Sequence, residues 1–585
     1  MSPENAGLAE PALHAQTDRS TEPSHRGGKA AWLCWTIVSV CGLLQAWSHR
    51  FFVEFDGTSY LDIAENYARG NWHAAVNGYW SPLYSWILAL CSATVHYSLR
   101  WESTVLHLIN FAAYLLAYAA FRFLLRELAA YRNRKFGSET AALTAPLWEL
   151  LGLGLFLYSA LFMANSAGST PDILVVGLVY CAAGLALRAV TCGGSISVCV
   201  LLGAVLGLSY FAKTAMFPVS LVVLGVALAG TWRMRCRRFA MLFAPLCFAV
   251  VVAPWIVTLS RAKGRATFGD SGKLAYAQLV RPLAPPLAWQ GRVDPAQPLR
   301  HPPRILMVHP GVIEFAAPVA GTFPLWYEAS YWLDGTTIRF SPAGQFRVLL
   351  ASFATGFRLL LDTKEFLVLI LILILADGSP ASYLHRMLQL WELWIPAAFA
   401  IGMYALVLVE PRYIAPFVVI LWLGVFAASR MPSSAGAQTF VRNCVLAALI
   451  VTAIGVTRAS ISDARLILHP PANQPAEVAA ALRKNKIADG ASIALVGTPR
   501  DTIYWARLAG LRIVALIPAQ DAPDYWKSSP AVRSRVTACL KQAGAAALVT
   551  DALPSEHTDT GWIELGQTPY RLRLLEDPRD SCGAF

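Results

Sequence analysis

Long apolar runs separated by short polar breaks fill the first 460 residues, and their lengths set the first expectation. A run of about twenty apolar residues crosses the hydrocarbon layer as a helix. The first such run, 31–47, follows a polar, disordered-looking tail of thirty residues. That tail has no short apolar core with a small-residue cleavage site, so 31–47 reads as an uncleaved span. Further runs lie at 104–125, 143–164, 171–190, 196–212, 214–231, 239–259, 356–376, 390–409, 411–429 and 440–458, giving about eleven spans. The run 82–97 is shorter and bounded by Pro82 and His96, so it is expected to lie in the outer interface.

Beyond residue 460 the pattern changes. The stretch 491–497, a helical 501–510 and the stretch 511–517 read β-α-β. A helix at 530–543 leads to a strand at 545–550, and 570–575 looks like a closing strand. Residues 460–585 carry 14 basic and 13 acidic side chains, an ordinary soluble proportion. The segment Leu495-Val496-Gly497-Thr498-Pro499-Arg500-Asp501 has one glycine and no GxGxxG, so nucleotide binding is not supported. The expected architecture is a mainly α polytopic transmembrane bundle with a small C-terminal α/β domain. Its parts are a cytoplasmic tail at 1–30, a transmembrane domain at 31–460 with outer loops 49–103 and 261–345, and an extracytoplasmic domain at 461–585.

Composition removes the other classes. Of 585 residues, 56% are hydrophobic and 14% charged, and the mean hydropathy is +0.48. That excludes a wholly soluble chain, a disordered one and a disulfide scaffold. The net charge of +12 marks cytoplasmic loops of a membrane protein and does not indicate nucleic acid. The eleven cysteines form no CxxC pair, and most lie in apolar runs as small hydrophobes. Cys539 and Cys582 fall in the polar part, where they read as free thiols or, outside the cytosol, as a disulfide.

Charge then sets sidedness. One basic turn carries Arg122, Arg126, Arg132, Arg134 and Lys135; another carries Arg233, Arg235, Arg237 and Arg238. Both are expected to be cytoplasmic, with the N-terminus and its Arg19, Arg26 and Lys29. Alternation of the spans then puts a set of unusual residues on the opposite face. Glu54 and Asp56 follow the first span. Ser59 with Asp62 three residues on is a capping-box pattern, so a helix is expected to start there and to occupy Asp62. Asp56 keeps no such task, and it reads as a solvated loop acid or as a group for chemistry. Asp172 sits in Ser169-Thr170-Pro171-Asp172, where a helix-start acid is the plain reading. Lys213 interrupts an apolar run, which is costly unless it snorkels or meets an anion. Arg412 and Tyr413 follow Glu410 between two spans, as an ion pair or as a phosphate clamp. Tyr79 and Trp80 belong to an aromatic patch suited to the membrane interface or to a sugar ring.

The outer loop 261–345 is proline-rich, with pairs at Pro285–Pro286 and Pro302–Pro303. Its aromatic end, from Phe323 through Trp326 and Tyr327 to Tyr331 and Trp332, favours an ordered lid. His301 and His309 read as free loop histidines, and no dense His, Cys and Asp cluster marks a metal; a divalent metal is left open.

One acid, two cations and aromatics on one face suit sugar transfer from a polyprenyl phosphate. A phosphate leaves readily without a general acid, cations neutralise its charge, and the acceptor hydroxyl needs one base. At these residues the chain resembles the GT-C superfamily of integral-membrane glycosyltransferases, closest to the bacterial branch with protein O-mannosyltransferases and lipid A aminoarabinose transferases. The likeness covers roughly 30–460. It rests on Glu54-Phe55-Asp56 with Tyr60 and Ala64, on Ser169-Thr170-Pro171-Asp172, on Ala212-Lys213-Thr214 and on Pro411-Arg412-Tyr413. Trp80-Ser81-Pro82 departs from the lipid A branch, which has a lysine and paired prolines there. The resemblance implies an extracytoplasmic site in the cell (inner) membrane, a polyprenyl-phosphate sugar donor, inversion at the anomeric carbon, and a glycan, lipid or protein acceptor. Asp56 matches the family's first-loop aspartate and Asp172 its second outer-loop acid, with Lys213 and Arg412 suited to the lipid phosphate. The rival expectation is a transporter or flippase of a lipid-linked sugar. It is disfavoured because no internal repeat is evident and the polar residues gather at one face.

Overall fold

The computed structural model describes residues 25–137, 143–191, 195–233, 238–280, 299–430, 432–497, 502–554, 561–575 and 582. The tail before residue 25, the basic turn at Arg235 and Arg237, and the Pro285–Pro286 pair lie outside the described residues. The chain is a multi-pass helical membrane protein carrying a small mixed sheet. Among the described residues eight helices are long and apolar enough to cross a membrane, or nine if the pair Lys364–Ala376 and Pro380–Gln389, bent by 115°, counts as one span.

The expected count of eleven spans is not confirmed by this measure, for visible reasons. Ile196–Ala212 has 17 residues, about 26 Å of helix against a hydrocarbon layer of about 30 Å. Trp391–Ala405 is shorter still, at 15 residues. The run 356–376 is broken at Thr363: Pro342–Asp362 ends there and Lys364–Ala376 begins. The first basic "turn" is helix. Leu99–Phe136 runs 38 residues, about 57 Å, longer than the apolar layer, and carries all five of those cations in its C-terminal part. Arg132 of this helix donates from Nε to the Ala427 carbonyl (2.9 Å) and from Nη2 to the Ser429 carbonyl (3.3 Å). Those acceptors are at the end of Pro411–Ala428, where unpaired carbonyls and the helix dipole favour a cation.

The sheet strands are β1 (Arg304–Met307), β2 (Val312–Glu314), β3 (Ser492–Val496), β4 (Arg512–Ile517), β5 (Ala547–Thr550), β6 (Ile563–Glu564) and β7 (Arg571–Leu574), in the order β1-β2-β4-β3-β5-β7-β6. β3 runs parallel to β4 and β5, with the short helix Tyr504–Leu508 between β3 and β4. β4 is buried along most of its length, as a central parallel strand should be. The loop 261–345 does more than cover the molecule. Its β1–β2 hairpin pairs antiparallel with β4 (Ile313 opposite Leu516), so the sheet is assembled from two distant parts of the chain. Cys539 and Cys582 are joined by a disulfide. The free-thiol reading fails because the chain's end returns to the helix Pro530–Gln542, bringing the two Cα atoms to 4.8 Å.

One buried ion cluster locks the sheet domain to the membrane part. Arg507 donates from Nε and Nη2 to the two oxygens of Glu102 (2.9 and 2.6 Å), and from Nη1 to Asp62 (2.6 Å) and Glu65 (2.7 Å). Asp62 also accepts from the Thr322 backbone N–H (2.7 Å) and hydroxyl (2.9 Å). Asp62 is therefore no helix cap. Its helix starts earlier, as Phe55–Ala68, and its carboxylate is spent on a contact 445 residues away.

Candidate active site

Four segments meet at one cavity of about 500 Å³: the helix Phe55–Ala68, the start of Asp172–Thr191, the break at Lys213 and the start of Pro411–Ala428. Each charged residue sits at the end of a helix, and for that reason a polar cluster can form beside apolar spans.

Glu54 is extended and Asp56 lies in the first turn after it, where the helix dipole favours an anion. The Glu54 N–H donates to Ser169 Oγ (2.8 Å). A Cβ at Gly57 would meet that same oxygen at 2.3 Å, so only glycine lets the two segments approach this closely. Asp56 Oδ1 accepts from Trp326 Nε1 (3.1 Å), and Oδ2 is 3.7 Å from Arg412 Nη2. The side chain keeps 24% of its surface, on the cavity wall. Burial pushes the Asp56 carboxyl above the usual carboxylate range, while Arg412 and the Trp326 N–H pull the other way. Burial raises Glu54 likewise, against Arg412.

Arg412 is the hub. Its Nε donates to Glu410 (2.6 Å), and Nη1 lies 3.6 Å from both Glu54 and Asp172. Lys213 Nζ donates to Asp172 Oδ1 (2.5 Å) and sits 3.5 Å from the centre of the Tyr413 ring. Lys213 thus does not snorkel; it has an anion and an aromatic face. Burial draws its ammonium below the ordinary lysine range despite Asp172. Asp172 does start a helix, and it also joins the two cations through one carboxylate.

Tyr60, Tyr79, Trp80 and Tyr413 line the same cavity. Trp80 is less available than an aromatic platform requires. It is 7% exposed, with its ring packed against Tyr60, Tyr79 and Trp326. Asn77 Oδ1 accepts from the N–H groups of Tyr79 and Trp80 (2.9 Å each), and Trp80 Nε1 donates to the Trp326 carbonyl (3.0 Å). That stitching holds the 77–80 turn against the 323–332 segment and aims Trp326 at Asp56.

All nine residues singled out in the sequence are therefore in one place, eight on the cavity wall and Glu54 against Arg412. Sequence reasoning missed two others. Trp326 was only part of an aromatic lid, and its contact with Asp56 spans 270 residues. Glu410, read as an ion-pair partner of Arg412, does hold Arg412 in place. Lys273, on the cavity wall, forms no ion pair among the described residues, whereas Lys213 and Arg412 face four carboxylates: Glu54, Asp56, Asp172 and Glu410. The only signal for Lys273 was a lysine in a loop of uncertain fold. Among the described residues no three His, Cys, Asp or Glu side chains are placed to hold a metal. His301 is not a free loop residue; it stacks on Tyr331 with ring centres 4.1 Å apart.

The Trp326 contact makes a signed prediction. If ionised Asp56 drives turnover, the rate falls as pH drops through its pKa. Trp326→Phe removes a donor that favours the charged form, so the acid limb of kcat/KM moves to higher pH with a similar plateau. A pH–rate profile in which that limb stays still or moves down overturns the link.

No family model matches the sequence and no curated protein matches it. Solved structures similar to the chain include the following. ArnT from Cupriavidus metallidurans in its apo state is 14% identical over 93% of this chain and 98% of that one, with a TM-score of 0.45. The same protein bound to undecaprenyl phosphate gives 14% identity over 93% and 97%, with a TM-score of 0.48. An oligosaccharyltransferase from Archaeoglobus fulgidus, in complex with zinc and sulfate, gives 13% identity over 89% of this chain and 68% of that one, with a TM-score of 0.49.

Proposed function

We propose that the chain is an inverting membrane glycosyltransferase that moves a sugar from a polyprenyl-phosphate donor to an acceptor on the outer side of the cell membrane. The observation that carries this reading is the Asp56 carboxylate on the cavity wall, held between the Trp326 N–H and the Arg412 guanidinium, whereas Asp172, also on that wall, is tied to Lys213 at 2.5 Å. Asp56 takes the proton of the acceptor hydroxyl as that oxygen attacks the anomeric carbon. The bond to the phosphate breaks on the opposite face, and the lipid phosphate departs with the electron pair. A raised carboxyl pKa suits a base working near neutral pH. Lys213 and Arg412 supply positive potential for the departing phosphate but are largely balanced by their own carboxylates, and Lys273 on the same wall adds a cation with no carboxylate in ion-pair contact among the described residues. Apolar wall residues such as Leu279, Met403, Val407 and Leu408 suit a prenyl chain.

The test is transfer itself. Purified protein with a radiolabelled polyprenyl-phosphate sugar and an envelope extract should yield a labelled acceptor whose anomeric configuration is inverted. Movement of the donor across liposomes without covalent transfer overturns the enzyme in favour of a flippase. Lys213→Ala should raise the donor KM by about tenfold, equivalent to about 1.4 kcal/mol, with a smaller change in kcat. An unchanged donor KM removes Lys213 from the phosphate site.

A further inference from the structure

A second cleft, of about 790 Å³, shares no wall residue with the Asp56 cavity. It lies where three parts meet. Trp47, Arg50 and Phe51 come from the end of the first span, and Arg100 and Trp101 from the start of Leu99–Phe136. Arg483 comes from the helix Gln474–Lys484 of the C-terminal domain.

Its charge is one-sided: three arginines line it and no aspartate or glutamate does. Little of that charge is answered within the chain. Arg50 donates to the Trp47 carbonyl (2.7 Å) and lies over the Phe51 ring at 4.3 Å. Arg483 donates to the Leu508 carbonyl and is 3.6 Å from Asp489, an exposed acid. Arg100 makes no hydrogen bond or ion pair among the described residues. The cleft is also at the membrane boundary. Trp47 is 37% and Trp101 55% exposed, and both stand at the ends of candidate spans, where tryptophan marks the headgroup level. A volume near 790 Å³ falls in the range of sites for small organic ligands, about 300–1,000 Å³.

We infer that this cleft binds the headgroup of an anionic glycerophospholipid. The phosphate sits among Arg50, Arg100 and Arg483, and the acyl chains leave past Trp47 and Trp101 along the spans. Guanidinium groups match phosphate oxygens in pairs, and an acid-free basic pocket beside hydrocarbon selects an anionic lipid over a zwitterionic one. Because its walls come from the first span, the second membrane helix and the C-terminal domain, the bound lipid braces the same joint that Arg507 holds from within. The inference does not depend on the transferase reading.

The experiment uses the full chain in a neutral detergent, with heat unfolding and tryptophan emission as readouts. Phosphatidylglycerol should raise the unfolding midpoint by several degrees and shift the emission, and phosphatidylcholine should do neither. The variant R50Q/R100Q/R483Q should lose the phosphatidylglycerol response. Should the triple variant fold poorly, Arg100→Gln alone, which breaks no hydrogen bond or ion pair among the described residues, should weaken the apparent affinity about fivefold. Equal responses to the two lipids, or an unchanged response in Arg100→Gln, overturn the site. Inorganic phosphate at millimolar concentration reproducing the full response overturns the lipid in favour of a free anion.

Discussion

Asp56→Asn should lower transfer by about 10³-fold while the protein folds as before, within the range that a positioned general base contributes. The argument rests on what the substitution leaves in place. Asparagine keeps the shape of the side chain, and its carbonyl oxygen still accepts from Trp326 Nε1. Arg412 loses its neighbour at 3.7 Å but keeps Glu410 at 2.6 Å and Glu54 and Asp172 at 3.6 Å, so no buried charge is stranded. What disappears is the wall carboxylate that is left to take the acceptor's proton, since Asp172, the other carboxylate described there, is tied to Lys213 at 2.5 Å. Initial rates of transfer and heat unfolding on the same preparation check both halves. Full activity in a well-folded Asp56→Asn variant refutes the role given to Asp56.

Arg507→Met should produce the largest loss of stability, about 3–5 kcal/mol, the cost of stripping a buried ion cluster of its one cation. Arg507 is 7% exposed, and its partners Asp62 and Glu102 are 5% and 4% exposed. Methionine fills much of the volume but leaves Asp62 and Glu102 without a cation, and Glu65 with only the exposed Arg69. Protonating the carboxylates relieves the repulsion only by surrendering their charged hydrogen bonds. The damage falls on two things at once: the docking of the C-terminal domain, and the seating of the helix Phe55–Ala68 that carries Asp56. The variant should unfold several degrees earlier in detergent and become susceptible to protease between Leu468 and Gln474, where two helices meet. A variant as stable as the parent would show that the cluster contributes nothing net.

The sequence was most readable where a local pattern carries its own physical consequence. Apolar runs of about twenty residues gave most of the spans, and the alternation near 491–517 gave β3, the short helix and β4. Lys213 stood out because a charge inside an apolar run needs an explanation, and Asp172 supplies it at 2.5 Å. Local patterns also misled. Ser59 and Asp62 have the spacing of a helix cap yet lie inside a helix that starts at Phe55. The cations around Arg132 looked like a turn because charge usually marks the membrane edge, but a long helix can carry its charges past the lipid. Run length alone could not show that Thr363 breaks one apolar stretch into two helices.

By itself, then, the sequence determined a polytopic helical protein with an appended sheet and named the residues whose charge or ring was out of keeping with their surroundings, since hydrophobic periodicity and the cost of a misplaced charge are properties of short segments. The pairing of Trp326 with Asp56, of Arg507 with three carboxylates, of the β1–β2 hairpin with β4 and of Cys539 with Cys582 was decided only in three dimensions. Each joins residues whose separation along the chain runs from 43 to more than 400 positions. No local preference specifies such a contact; it forms because packing the spans and closing the sheet bring those groups together.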